Sequence, residues 1–267
     1  MSIPAPLIGL SSGSAPALGA AELAALTLRL GGTVVDVRAG KGHAWEDTGG
    51  LDAMRAAGAD VCFVGVSTVL GDAAHPPADC AALPWLEQGL PVKVFAADGC
   101  TAPGRIDLTL AQIGALAERT GDPGLVLVET HQGYAPVGEL AELCRQAGTA
   151  VLLDTLGLAR IAPDPLSAAG LLAPWTTHAQ VKGFTRGEAS TSRHLPLAAP
   201  SAMPTRPLLS AVGALRTVTV ESRAPSLPED TALLRQWFAP DREPAETGLT
   251  ADPVPEEEIS HETRRHQ

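Results

Sequence analysis

Aromatic residues are scarce in this chain: Phe, Trp and Tyr make up 3% of 267 residues, with one tyrosine. The 45% apolar fraction is therefore mostly aliphatic, and it is large enough for a substantial core. Cysteine is sparse too. Cys62, Cys80, Cys100 and Cys144 show no CxxC or CxxxC spacing, which argues against a thiolate metal ribbon or a redox pair. Cys62 and Cys144 lie in apolar runs and read as core thiols. Positive charge is short: the formal net charge is −11, so a nucleic-acid partner gains no general electrostatic attraction. No apolar run approaches the roughly 20 residues of a membrane span. MSIPAPLIGL lacks the basic start and long apolar stretch of a secretory signal. These absences point to a cytoplasmic protein that works on small molecules, with neither nucleic acid nor membrane as partner; a homo-oligomer is allowed.

What the chain does have is one strongly patterned stretch, 125–155. It reads LVLVET (125–130), PVGELAELCRQAG (136–148) and AVLLDT (150–155). Val137, Leu140, Ala141, Leu143, Cys144 and Ala147 recur at helical spacing, and Gly148 stands where a helix C-cap belongs. The flanking runs are aliphatic almost throughout, as suits parallel strands buried on both faces. A parallel crossover puts both strand ends on one sheet edge, so Glu129 and Asp154 are expected side by side.

The same strand-then-helix unit repeats along the chain. Strands are expected at 6–10, 33–40, 60–68, 91–97, 125–130, 150–155, 179–184 and 217–222. Helices are expected at 20–30, 51–58, 79–89, 107–121, 136–148, 164–175, 208–215 and 227–238. This alternation is that of a closed (β/α)8 TIM barrel, a single α/β domain over 1–239. An open doubly wound sheet would want GxGxxG at the first strand–helix turn, and SSGSAPALG lacks it. The 27 glycines and 23 prolines fall at element ends, as punctuation. Over 240–267 the composition changes: eight acids against three bases carry −5 of the net −11. That acidic tail reads as disordered.

Catalytic groups of a TIM barrel sit at the C-terminal ends of its strands. Those ends carry Asp36 and Arg38 on the second strand, Glu129 on the fifth, Asp154 on the sixth, Gln180 and Lys182 on the seventh, and Glu221 on the eighth. A bare charge inside such apolar strands is expensive. Asp36 and Arg38 also admit a plain structural pairing with each other. Glu129, Asp154, Gln180 and Glu221 offer hard oxygens on four successive strands, a donor set for Mg²⁺ or Mn²⁺. Three clustered carboxylates also need a cation at neutral pH.

The order E-T-H on the fifth strand, L-D-T on the sixth, Q-V-K-G on the seventh and V-E-S-R on the eighth resembles the xylose isomerase-like TIM barrel superfamily. That group takes in sugar and sugar-phosphate isomerases and epimerases, hydroxypyruvate isomerase, inosose dehydratase and the endonuclease IV proteins. The resemblance runs over about residues 5–239. It implies one divalent metal held by Glu129, Asp154, Gln180 and Glu221, with the two glutamates also moving the proton. Two positions depart from the commoner pattern. Gln180 stands in place of a histidine, as glutamine does in hydroxypyruvate isomerase-like members. Gly157 stands where many epimerases carry a histidine.

Isomerising an α-hydroxy carbonyl compound, or inverting a carbon beside a carbonyl, begins with loss of a weakly acidic C–H proton. A metal on the substrate oxygens would stabilise the resulting enediolate. Glu129 and Glu221, across the barrel mouth, would take and return the proton. His131 either donates to a substrate oxygen or caps the next helix. Lys182 either polarises a carbonyl or pairs with Asp154 or Glu221. His43, Trp45 and Tyr134 are candidates to wall the substrate, whereas Trp85 and Trp237 suit helix packing. The stretch 185–207 is too long for a plain connector and forms a natural lid. Its Arg186, Arg193, His194 and Arg206, with Arg223 beyond the eighth strand, suit an anionic group on the substrate. The expected function is a divalent-metal-dependent isomerase or epimerase of a small polyhydroxy or hydroxy-carbonyl compound. A repurposed barrel, acting as a cyclase or lyase or without catalysis, is the alternative favoured by Gln180 and the few aromatics. An apurinic-site endonuclease would need a histidine-rich three-metal cluster and a basic surface, which seven histidines in an acidic chain do not supply.

Overall fold

Each aliphatic run folds as a strand covered on both faces, and the amphipathic segment after it returns over the sheet as a helix. The computed structural model describes residues 4–77, 83–185 and 193–239. The strands are β1 (Leu7–Ser11), β2 (Val34–Arg38), β3 (Asp60–Leu70), β4 (Val92–Ala96), β5 (Val126–Glu129), β6 (Ala150–Asp154), β7 (Thr176–Val181) and β8 (Thr217–Val220). Every neighbour pair is parallel, and β8 closes on β1, so the chain is a (β/α)8 TIM barrel. Around it lie α1 (Ala20–Arg29), α2 (Gly50–Ala56), α3 (Ile106–Thr120), α4 (Val137–Ala147), α5 (Thr155–Ile161), α6 (Pro165–Leu172), α7 (Thr205–Val212) and α8 (Leu227–Trp237). Gly148 ends α4 in the left-handed conformation, at φ 71°. No helix among the described residues is long and apolar enough to cross a membrane.

Three elements differ from the sequence expectation. The helix expected at 79–89 appears, among the described residues, as one 3-10 turn, Leu83–Trp85. The sequence pattern marks no helix at 155–161, yet α5 starts directly off β6 because Asp154 caps it with its own side chain. β7 begins at Thr176 rather than Ala179. Its polar start reads as loop, but His178 is buried edge-on to Phe63, with ring centres 5.8 Å apart. The tail at 240–267 and residues 186–192 of the lid expected at 185–207 lie outside the described residues; Thr205 onward of that stretch starts α7.

Strand side chains alternate between the barrel interior and the helix layer. Val34, Cys62, Phe63, Leu127, Ala150 and Leu152 form a small buried cluster of their own. Asp36, Glu129 and Asp154 follow Val34, Leu127 and Leu152 by two residues and so share their face. The interior therefore has an apolar floor and a charged upper layer. The larger cluster lies on the other face, where Val35, Val128, Val151 and Leu153 meet Leu23, Met54, Leu116 and Leu143 from the helices. Cys62, Cys100 and Cys144 are buried free thiols; Cys80 lies outside the described residues. Trp45 also belongs to this core, which corrects its expected place against substrate. It is fully buried and sits edge-on to Trp85 at 5.1 Å, where so large an apolar ring is worth most.

Candidate active site

The charged layer draws on six strands. β2 carries Asp36 and Arg38, β4 Lys93, β5 Glu129 and β6 Asp154, while Lys182 and Glu221 directly follow β7 and β8. All but Arg38 are buried. The Lys182 ammonium donates to Asp154 Oδ2 at 2.6 Å and to Glu221 Oε2 at 2.5 Å. Arg38 pairs with the other Glu221 oxygen. Lys93 Nζ donates to Glu129 Oε2 at 2.5 Å and lies 4.3 Å from the centre of the Phe95 ring. Asp36 stands apart, accepting from Thr219 Oγ1 at 2.5 Å and from Gln180 Nε2 at 3.1 Å. The Asp36–Arg38 pairing is thus replaced: Arg38 finds its partner past β1, at the end of β8.

Charge follows these contacts. Burial, helped by the nearby Glu221 charge, raises the Asp36 carboxyl to about 6. Burial alone would lower the Lys182 ammonium, but the Asp154 and Glu221 charges hold it above the ordinary lysine value. Burial would likewise raise Glu221, and Lys182 and Arg38 reverse that, holding it below the usual carboxylate range. Glu129, Asp154 and Glu221 therefore meet three side-chain cations. The counter-charge expected of an ion is already present.

Local backbone packing fixes the carboxylates. The Thr130 hydroxyl donates to the Asp154 carbonyl at 3.0 Å and accepts the Asp154 N–H at 2.9 Å, tying the ends of β5 and β6 together. Glu129 and Asp154 line one cavity as a result. Asp154 Oδ1 accepts the Gly157 N–H at 2.7 Å. A Cβ on Gly157 would fall 1.8 Å from the Thr130 carbonyl oxygen. No side chain fits there, which is the physical reason this position carries no histidine.

A cavity of about 210 Å³ opens over this layer. Glu129, Asp154, Lys182 and Glu221 line it, with Arg38, His131, Arg160, His194 and Arg223 around them. His131 hydrogen-bonds the Gln132 carbonyl through Nδ1 at 2.7 Å and lies edge-on to Phe95 at 5.2 Å. Arg223 donates its backbone N–H to His194 Nδ1 at 2.9 Å. Tyr134 stacks on Phe95 at 4.5 Å and lines an adjoining hollow with Lys41, Asp72 and His75. His43 bonds Ser12 Oγ at 3.1 Å, outside the cavity lining. Arg186 lies outside the described residues. Gln180 is fully buried beside the layer, with its amide nitrogen on Asp36 and its amide oxygen without a hydrogen-bond partner, and it is not among the residues lining the cavity.

Two lining or cluster residues escaped the sequence reading. Lys93 was legible, as a lone charge inside VKVFA that meets the same burial argument as the other strand-end charges. Arg160 was not, because it rides on α5, which no periodicity marks.

The expected metal set does not fit this arrangement. Among the described residues, no three His, Cys, Asp or Glu side chains are grouped to hold an ion. Asp154 and Glu221 share one ammonium, Glu129 takes another, and the Gln180 amide nitrogen bonds Asp36.

No family model matches the sequence, and no curated protein matches it. Solved structures do match. A xylose isomerase domain-containing protein from Salmonella typhimurium LT2 aligns with TM-score 0.62 at 16% identity, covering 89% of this chain and 96% of that one. A D-tagatose 3-epimerase-like protein aligns with TM-score 0.63 at 10% identity, covering 86% and 96%. The probable 3-DHS dehydratase AsbF of Bacillus anthracis, involved in petrobactin synthesis, aligns with TM-score 0.57 at 15% identity, covering 86% and 98%. At such identities the likeness is one of fold: the chain shares the closed eight-stranded barrel of these proteins.

Proposed function

We propose that the chain is an isomerase or epimerase that moves a proton on a small, anionic hydroxy-carbonyl compound. The observation that carries this reading is the pair Glu129 and Glu221, both buried, reached from different sides of the barrel and opening into one cavity. A substrate seated between them presents its acidic C–H to one carboxylate and regains a proton from the other. Glu129 meets one cation and Glu221 meets two. Glu129, with the single cation, is assigned as the base, and Glu221 as its partner. Negative charge developing on the substrate oxygen faces ammonium groups held in a desolvated layer, where they act strongly. Arg223 and His194 at the rim suit a carboxylate or phosphate. The cavity's size suits a small molecule rather than a polymer.

The fold neighbours support the class, since one is described as a 3-epimerase-like protein and another as carrying a xylose isomerase domain. The neighbour described as a probable dehydratase favours a second reading, because loss of water begins with the same proton abstraction. A panel of ketoses, sugar phosphates and hydroxy-keto acids incubated in D₂O separates the two. Solvent deuterium is expected at the carbon beside the carbonyl of the true substrate, with turnover about 10²–10⁴-fold lower in a folded Glu129→Gln protein. Deuterium uptake accompanied by loss of water would move the assignment to a dehydratase. Turnover with no uptake would sink the proton-transfer reading.

A further inference from the structure

A divalent ion at this site would need carboxylate oxygens free to approach it; Mg²⁺, for example, takes oxygens at about 2.0–2.1 Å in a near-octahedral shell. Most of the carboxylate oxygens already meet a partner. Asp154 Oδ2 and Glu221 Oε2 close on a single ammonium, at 2.6 and 2.5 Å. The remaining Asp154 oxygen caps the turn at Gly157, at 2.7 Å, and the remaining Glu221 oxygen faces Arg38. Glu129 is held by Lys93 at 2.5 Å. Gln180, the one neutral donor of the expected set, points its amide nitrogen at Asp36 and leaves its oxygen with no hydrogen-bond partner.

The ammonium is not a surface group that has swung inward. Lys182 follows β7 directly, at the level of the barrel interior, and its side chain is 7% exposed. The two carboxylates grip it from both sides, at 2.6 and 2.5 Å. An ammonium and a divalent ion cannot share these two oxygens, because like charges at contact in a desolvated layer repel strongly.

We propose that the Lys182 ammonium is the resident cation of this site, standing between Asp154 and Glu221 where a divalent metal would otherwise bind, and that the protein works without a metal. This rests on the reading of the cavity as a proton-transfer site. The substrate oxygen that gathers charge is then received by Lys182, helped by Arg38, and the pair Lys93–Glu129 supplies the base.

The test reads metal rather than turnover, so a failed isomerase assay leaves it intact. Protein purified without chelator is analysed for Mg, Mn, Co, Fe and Zn by mass spectrometry, then titrated with Mn²⁺ in a calorimeter. The expected result is far less than one ion per chain and no Mn²⁺ binding tighter than about millimolar, with melting unchanged by EDTA. One tightly held ion per chain, or a single Mn²⁺ site of micromolar affinity, would overturn the proposal. Lys182→Met supplies the converse: freed of the ammonium, Asp154 and Glu221 should take Mn²⁺ at least tenfold more tightly than the parent protein. A folded Lys182→Met protein that binds no better than the parent also overturns it, since the ammonium would not be what keeps the ion out. If Lys182→Met does not fold, the titration of the unaltered protein decides alone.

Discussion

Asp36 is the acid of the charged layer left without a cation of its own. Thr219 and Gln180 give it hydrogen bonds, yet burial and the Glu221 charge still raise it to about 6. In the unfolded chain the same group titrates near 3.9. A raised folded pKa means that the folded state binds the proton more tightly. Its contribution to stability is therefore complete below about pH 4 and is lost as the pH rises through about 6. Over that window the loss is on the order of 3 kcal/mol. Asp36→Asn keeps an oxygen for Gln180, lets the Thr219 hydroxyl turn to accept, and removes the charge. The variant should gain stability relative to the parent at pH 7 and show little of that gain at pH 4. Denaturant unfolding of both proteins across this range is the measurement; a difference that stays constant with pH would mean that Asp36 does not titrate in the fold.

At the scale of elements, α5 decides more than its seven residues imply. It begins on Asp154, which is at once the last residue of β6, the cap of the helix and a partner of Lys182. Gly157 makes the arrangement possible, because the Thr130 carbonyl comes within 1.8 Å of where its Cβ would be. That neighbour is backbone and cannot turn aside. Gly157→Ala should cost roughly 2–3 kcal/mol or more as overpacking, and it should also disturb the tie between Thr130 and Asp154. Urea unfolding of the variant checks the first effect. A stability within about 0.5 kcal/mol of the parent, the range of ordinary surface changes, would show that the turn has room to move.

At the scale of the whole molecule, the barrel closes within the described residues. β8 pairs with β1, and α8 packs against both of them and ends at Trp237. The acidic, proline-bearing stretch 240–267 has a composition that contributes little to a core. Removing it should leave Tm within about 2 °C of the full chain. A fall of many degrees in calorimetry would show that it docks on the barrel or on a second copy of the chain.

The fold could be read from local chemistry. Aliphatic runs of strand length, amphipathic segments between them and a glycine such as Gly148 each act over a few residues, so the sequence determined the order of elements and the acids at their ends. The site was legible only in part. Glu129, Asp154, Lys182, Glu221 and Arg223 were marked by position, and they share one cavity. What each carboxylate meets is a different matter. Lys93 reaches Glu129 across 36 residues of sequence and Lys182 reaches Glu221 across 39, while Arg38 crosses from β2 to the end of β8. Trp45 was misplaced because nothing local says whether a side chain in the loop after a strand turns to the cavity or to the core. Three clustered carboxylates required a cation from the sequence alone. That an ammonium stands between two of them was decided only when closure of the barrel brought the tip of Lys182 between Asp154 and Glu221.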